Sequence, residues 1–161
     1  MRCPLASRCF ALATGRVGEL PTRKPRKAIP QKQTAMLVVT NSGHILLEQR
    51  PAHGIWGGLL SLPEIDAAES AAKIDQYRFE ATIARAIAPF GILASCERLP
   101  SFSHGFTHFK LDIAPFRIQL RSRLEMAGEP THVWYGVERL ADAPLPAPVK
   151  KLLLALFSAI S

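Results

Sequence analysis

The stretch that most constrains this chain runs from Thr34 to Arg50. Thr34-Ala-Met-Leu-Val-Val-Thr40 is short, apolar and rich in β-branched side chains, Asn41-Ser42-Gly43 carries turn chemistry, and Ile45-Leu46-Leu47-Glu48-Gln49-Arg50 follows as a second run. This pattern predicts a β-hairpin. A chain that begins its folded part this way is building a sheet, and the elements that follow have to cover it.

Those elements can be taken in order. Pro51 to Gly58 predicts a loop in which Gly54, Gly57 and Gly58 permit unusual backbone angles around Trp56. Leu59 to Leu62 is expected as a short strand closed by Pro63. From about Ala67 to Ala88 breakers are few, and Ile74, Tyr77, Ala81, Ala84 and Ile87 recur three or four apart. That spacing predicts an amphipathic helix, or two short ones, ending before Pro89 with its apolar face on the sheet. Further strands are expected over Ser95–Phe102, over Phe109–Leu120, where Phe109, Leu111 and Ile113 alternate with Lys110 and Asp112, and over Thr131–Val137 around Trp134-Tyr135. Pro146-Ala147-Pro148 opens a last helix whose Val149, Leu152, Leu153, Leu156, Phe157 and Ile160 mark one face. The order β-β-β-α-β-β-β-α predicts an α+β fold, a mixed sheet flanked by helices.

Residues 1–32 do not read as the start of that fold. Pro21, Pro25 and Pro30 stand among Arg16, Arg23, Lys24, Arg26, Lys27 and Lys32 without a sustained period, which predicts an extended connector. Such a run is either a solvated linker or a strap that tracks phosphates, and Arg23, Lys24, Arg26 and Lys27 are the candidate phosphate contacts. The expected division is therefore a connector over 1–32 and a folded domain over 33–161. Twenty Lys and Arg against thirteen Asp and Glu give the chain a net charge of +7, which favours polyanionic partners and a steep salt dependence. At 161 residues, 48% hydrophobic and 20% charged, the chain has material for one compact domain. It has no apolar run near the roughly 18 to 20 residues of a membrane span and no signal-peptide core, so a cytosolic location is expected. Three cysteines, Cys3, Cys9 and Cys96, do not make a disulfide framework, and Cys96 is expected as a buried inert thiol.

Between two of the expected strands lies Ser103-His104-Gly105-Phe106-Thr107-His108, at the tip of an expected hairpin with Gly105 easing the bend. On these residues alone two readings stand. Phe106 and Phe109 are ordinary core aromatics with solvated histidines beside them, or a hydroxyl held between an aromatic ring and an imidazole inspects a nucleic-acid base.

Several motifs together carry a resemblance. Leu46-Leu47-Glu48-Gln49-Arg50-Pro51, Gly54-Ile55-Trp56-Gly57-Gly58-Leu59, Phe106-Thr107-His108-Phe109-Lys110-Leu111-Asp112 and Ala147-Pro148-Val149 resemble the C-terminal domain of the MutY family of adenine DNA glycosylases. Cys3-Pro-Leu-Ala-Ser-Arg-Cys9 is similar to the last two ligands of that family's 4Fe-4S loop, C-x6-C-x2-C-x5-C. On that pattern the second ligand would fall just upstream of Met1, so the chain is expected to be a truncation keeping the end of the cluster loop, the connector and the C-terminal domain.

The resemblance implies a fold like that of the Nudix hydrolase MutT, without its chemistry. Gly58 and Glu64 fit the G-x5-E opening of a Nudix box, but the R-E-x-x-E-E continuation falls on Ala72-Lys73-Ile74-Asp75-Gln76-Tyr77, which lacks the metal-binding glutamates. It also implies a role for the hairpin. The family inserts a Phe-Ser-His motif at the 8-oxoguanine opposite the adenine to be removed. Phe102-Ser103-His104 matches that motif letter for letter, whereas the following Phe-x-Leu-Asp places Phe106-Thr107-His108 in register with it. 8-Oxoguanine differs from guanine by an oxygen at C8 and a protonated N7, so a hydroxyl that both donates and accepts can tell them apart, a contact worth about 1 to 3 kcal/mol. Phe106 is then expected as an apolar wedge, Thr107 as the reader, and His108 as a support or a phosphate contact.

The expected partners are double-stranded DNA bearing 8-oxoguanine:A or G:A mispairs and the absent N-terminal catalytic domain. Excision needs that domain's adenine pocket, so no glycosylase activity is expected of this chain alone. Two thiolates are half of what a 4Fe-4S cluster takes, so the cluster is expected only in a longer protein. The competing expectations are a divergent nucleotide pyrophosphatase and a docking module indifferent to the lesion. Zinc on Cys96, His104 and His108 lacks a fourth ligand, and Trp56 and Trp134 are expected as core or loop anchors.

Overall fold

The computed structural model describes residues 3–20, 28–66, 76–124 and 131–157. Two short helical pieces come first, a 3-10 turn over Ala6–Arg8 and α1 over Phe10–Ala13, and neither buries a residue. The sheet then begins with β1 (Gln31–Asn41) and β2 (His44–Gln49). Ser42 and Gly43 join them with φ of 46° and 75°, the two positive angles that a type I′ hairpin turn requires.

β1 is the spine. It pairs antiparallel with β2 at its far end, antiparallel with β4 (Glu64–Asp66) nearer its start, and parallel with β7 (Lys110–Arg123) along its whole length, from Gln31 opposite Lys110 to Thr40 opposite Gln119. Side chains extend the parallel ladder, with Thr40 Oγ1 donating to the Ile118 carbonyl at 3.1 Å and Asn41 Nδ2 to that of Leu120 at 3.0 Å. β2 in turn carries β3 (Leu60–Ser61) and β8 (His132–Gly136).

A strand with neighbours on both sides and cover on both faces has to be apolar throughout, and residues 35 to 39 of β1 are buried without interruption. Alternation sends them to two cores. Ala35, Leu37 and Val39 join Leu46, Phe116 and Ile118 beneath Ile83 and Ile87 of α2 (Gln76–Ile87). Met36 and Val38 join Ile45, Leu47, Leu111 and Ile113 beneath Val149 and Leu153 of α3 (Ala147–Phe157). The result is a mixed sheet between helices, an α+β fold. No helix among the described residues is long and apolar enough to cross a membrane.

The edge beyond β7 departs from the expected single strand over Ser95–Phe102. β5 (Gly91–Arg98) and β6 (Phe102–Gly105) both pair with β7 along the same edge and are interrupted between Arg98 and Phe102. The interruption faces Pro115, whose carbonyl accepts from the Leu99 amide at 2.9 Å but which has no N–H to return. Three residues there oppose two on β7, a bulge that restarts the edge as β6. The expected helix over 67–88 is present over Gln76–Ile87, and its first part lies outside the described residues.

Candidate nucleic-acid interface

β6 and the start of β7 form the expected hairpin. Phe102 pairs with Ile113, Ser103 with Asp112, His104 with Leu111 and Gly105 with Lys110, and the Phe106 amide donates to the Phe109 carbonyl at 2.8 Å. The bend therefore falls on Thr107-His108, both exposed, while Gly105 lies inside the strand rather than at the bend.

The tip stands on an aromatic stack. The Phe106 ring is half-buried against Phe109, with centroids 4.4 Å apart and planes 17° apart. His104 meets Phe106 edge-on at 4.8 Å, and Trp56 leans on both, 5.9 Å from Phe106 and 6.4 Å from His104. Lys32 Nζ lies 4.9 Å from the centroid of Phe109, a cation over an aromatic face. Phe106, expected as an apolar wedge, is half-buried in this packed cluster, and Thr107 and His108 beside it are exposed to solvent.

Trp56 reaches the cluster from the loop before β3 at a conformational cost. Its φ is +58°, a left-handed backbone that costs a non-glycine residue about 1 to 3 kcal/mol and persists only where its surroundings impose it. They do, because Gly54 and Gly58 also have positive φ, and a Cβ on Gly57 would stand 2.4 Å from the Ala52 carbonyl oxygen.

The two candidate hydroxyls are in different situations. Ser103 Oγ donates to Asp112 Oδ1 at 2.6 Å, and Lys110 Nζ lies 3.8 Å from the same oxygen, so Ser103 is occupied with a cross-strand contact. Thr107 sits in the turn itself, open to solvent. Beside the hairpin, β6 and α3 enclose a groove of about 450 Å³ with Phe102, His104, Lys151 and Leu152 in its walls. Arg23, Lys24, Arg26 and Lys27 lie outside the described residues.

The Nudix-box glutamate has a structural occupation. Glu64 Oε1 lies 3.4 Å from Arg50 Nη1, and Oε2 accepts from Thr34 Oγ1 at 3.1 Å. Burial pushes its pKa up, opposed by the Arg50 charge and the Thr34 hydrogen bond and assisted by Glu48. Among the described residues no three His, Cys, Asp or Glu side chains are grouped to hold a metal ion. Cys96 packs on the α2 side and His104 on the α3 side, so zinc on Cys96, His104 and His108 is not assembled. Cys96 is half-buried rather than enclosed, and Cys3 and Cys9 are free thiols flanking the Ala6–Arg8 turn. A 4Fe-4S cluster takes four thiolates, so this pair does not by itself fit one.

The Nudix-like architecture agrees with the family comparison. A model of the NUDIX domain matches residues 34–155, and the chain belongs to that family. Among curated proteins it is similar to two adenine DNA glycosylases of Buchnera aphidicola. It is 29% identical over 153 residues to that of subspecies Acyrthosiphon pisum and 26% over 152 residues to that of subspecies Schizaphis graminum. Each match covers 94% of this chain, which spans 40% and 41% of those relatives' own lengths. Among solved structures, the C-terminal domain of mouse MUTYH, determined in complex with human PCNA, superposes with a TM-score of 0.57 at 21% identity over 79% of this chain and 87% of that one. The NUDIX domain of Shewanella oneidensis NrtR, bound to ADP ribose, gives 0.55 at 16% identity over 89% and 97%. At these identities the two structures speak for the fold alone.

Proposed function

We propose that this chain is the lesion-recognition domain of an A/G-specific adenine DNA glycosylase, reading 8-oxoguanine opposite adenine in base excision repair. The similarity to adenine DNA glycosylases over 94% of the chain supports the repair role. The observation that carries the finer reading is the hairpin tip, where Thr107 and His108 are exposed on a ring stack that is itself half-buried. A hydroxyl on such a base can accept from N7–H or donate to O8 of 8-oxoguanine, and guanine offers neither. Arg23, Lys24, Arg26 and Lys27 would hold phosphates ahead of it. In a longer protein Cys3 and Cys9 would supply two of four cluster ligands, and a catalytic domain on the amino-terminal side would remove the adenine.

The deciding experiment is competition binding of the chain to duplexes differing only in 8-oxoguanine:A against G:A, at low and moderate salt. A several-fold preference that Thr107→Val removes is expected. Equal affinity that follows salt alone would sink the lesion reading and leave a general docking module. The pyrophosphatase alternative has no support from Glu64, whose carboxylate is engaged by Arg50 and Thr34.

A further inference from the structure

Among the described residues, Trp56 and Ser42 are the non-glycine residues with positive φ, and they differ in kind. Ser42 belongs to a two-residue hairpin turn that needs the angle. No such turn asks it of Trp56. Its loop is instead fixed from several directions: the Gly58 amide donates to the Pro51 carbonyl at 3.1 Å, the Leu59 amide to that of Trp56 at 3.1 Å, and the Arg50 amide to that of Leu59 at 2.8 Å. Gly57 passes so close to Ala52 that no side chain fits between them. Strain held this firmly usually serves a geometry elsewhere.

The geometry it serves is that of the hairpin. The indole lies against Phe106 and His104, Phe106 stacks on Phe109, and the hydrogen bond between Phe106 and Phe109 closes the turn carrying Thr107 and His108. β6 is a four-residue edge strand, and among the described residues no strand neighbours it on its outer side. The strained loop supplies backing from the sheet face instead.

We propose that Trp56 is a positioning residue. By backing Phe106 it sets the angle at which Thr107 and His108 are presented, so the 51–58 loop governs lesion preference without touching the lesion. The DNA part of this proposal rests on the reading of the tip as the lesion contact, whereas the mechanical part does not.

The test compares Trp56→Ala and Trp56→Phe in the whole chain by amide hydrogen exchange and by competition binding to the 8-oxoguanine:A and G:A duplexes. In Trp56→Ala, exchange at the Phe106 amide is expected to quicken by a few-fold to about tenfold, the range that losing one aromatic pair allows. The amides of Leu37 and Ile118 in the middle of the sheet should hold. Lesion preference should fall while affinity for the G:A duplex stays, and Trp56→Phe should restore both. Unchanged Phe106 exchange in the folded Trp56→Ala chain overturns the proposal whatever the DNA shows. Quickened exchange with intact preference overturns the presentation role. A parent chain without lesion preference refutes the lesion reading and the DNA part together, and the exchange result still decides whether Trp56 backs the tip. If Trp56→Ala loosens the whole sheet, Trp56→Leu replaces it and the same outcomes apply.

Discussion

Ser103 and Asp112 face each other across the hairpin, with the hydroxyl donating to the carboxylate at 2.6 Å. This pairing separates two motifs that look interchangeable in one dimension. Ser103→Ala is expected to cost about 0.5 to 1.5 kcal/mol of stability, the net worth of one hydrogen bond, and to leave lesion preference intact. Thr107→Val should do the reverse. Urea denaturation and competition binding on both variants check the pair of outcomes, and loss of preference in Ser103→Ala would move the reader four residues back, from the turn onto β6.

The basic connector gives a second prediction. Replacing Arg23, Lys24, Arg26 and Lys27 by glutamine should lower the slope of log affinity against log salt by about 0.9 for each phosphate contact removed. Affinities for lesion and normal duplexes should fall together, because phosphate contacts position without reading sequence. An unchanged slope would make the run a plain linker.

Glu64 gives a third, and its sign follows from burial. Its folded-state pKa lies above the ordinary carboxylate value, so the folded state holds its proton more tightly than the unfolded one. The stability contributed by the protonated form is fully present below the unfolded pKa and is lost as pH rises through the raised folded value. Glu64→Gln cannot titrate. The melting temperature of the parent chain relative to this variant should therefore rise as pH is lowered from 7 toward 4, and a difference that stays flat would contradict it.

The fourth concerns the α3 face. Leu153 is wholly buried against the sheet, so Leu153→Ala should cost about 2 to 5 kcal/mol, measurable as a shift in the urea midpoint without change in slope. A change below about 1 kcal/mol would mean that the helix is not docked as described.

The legible parts of the fold were those where one short run of residues carries the whole signal. The apolar run from Thr34 and the Asn41-Ser42-Gly43 turn foretold β1, β2 and their I′ connection, and the Pro146-Ala147-Pro148 start foretold α3 within a residue. Gln31 and Lys32, read as connector, are strand because Lys110 and Leu111 lie beside them, a reason 79 residues away that no local pattern carries. Likewise Glu64–Asp66 is a strand only through its pairing with Thr34–Met36. At the candidate site, the preference for Thr107 over Ser103 came from the register that the family resemblance implies, and the hydrogen bond from Ser103 to Asp112 was not legible in either motif. Trp56 was expected as a core or loop anchor and does pack against the core, but the glycines around it announced odd backbone angles without naming His104 and Phe106 as the rings it meets.

The parallel pairing of β1 with β7 also sets an order of events. The spine strand emerges first, yet the partner that flanks its full length lies 79 positions later, and until that partner exists β1 has only its turn to β2 and the short β4 to hold it. Loop closure of that span has to precede the contacts that reward it, which slows such topologies relative to folds built from local contacts. During that interval the run from Ala35 to Val39 is an unprotected apolar strand, a segment through which a refolding chain is exposed to aggregation.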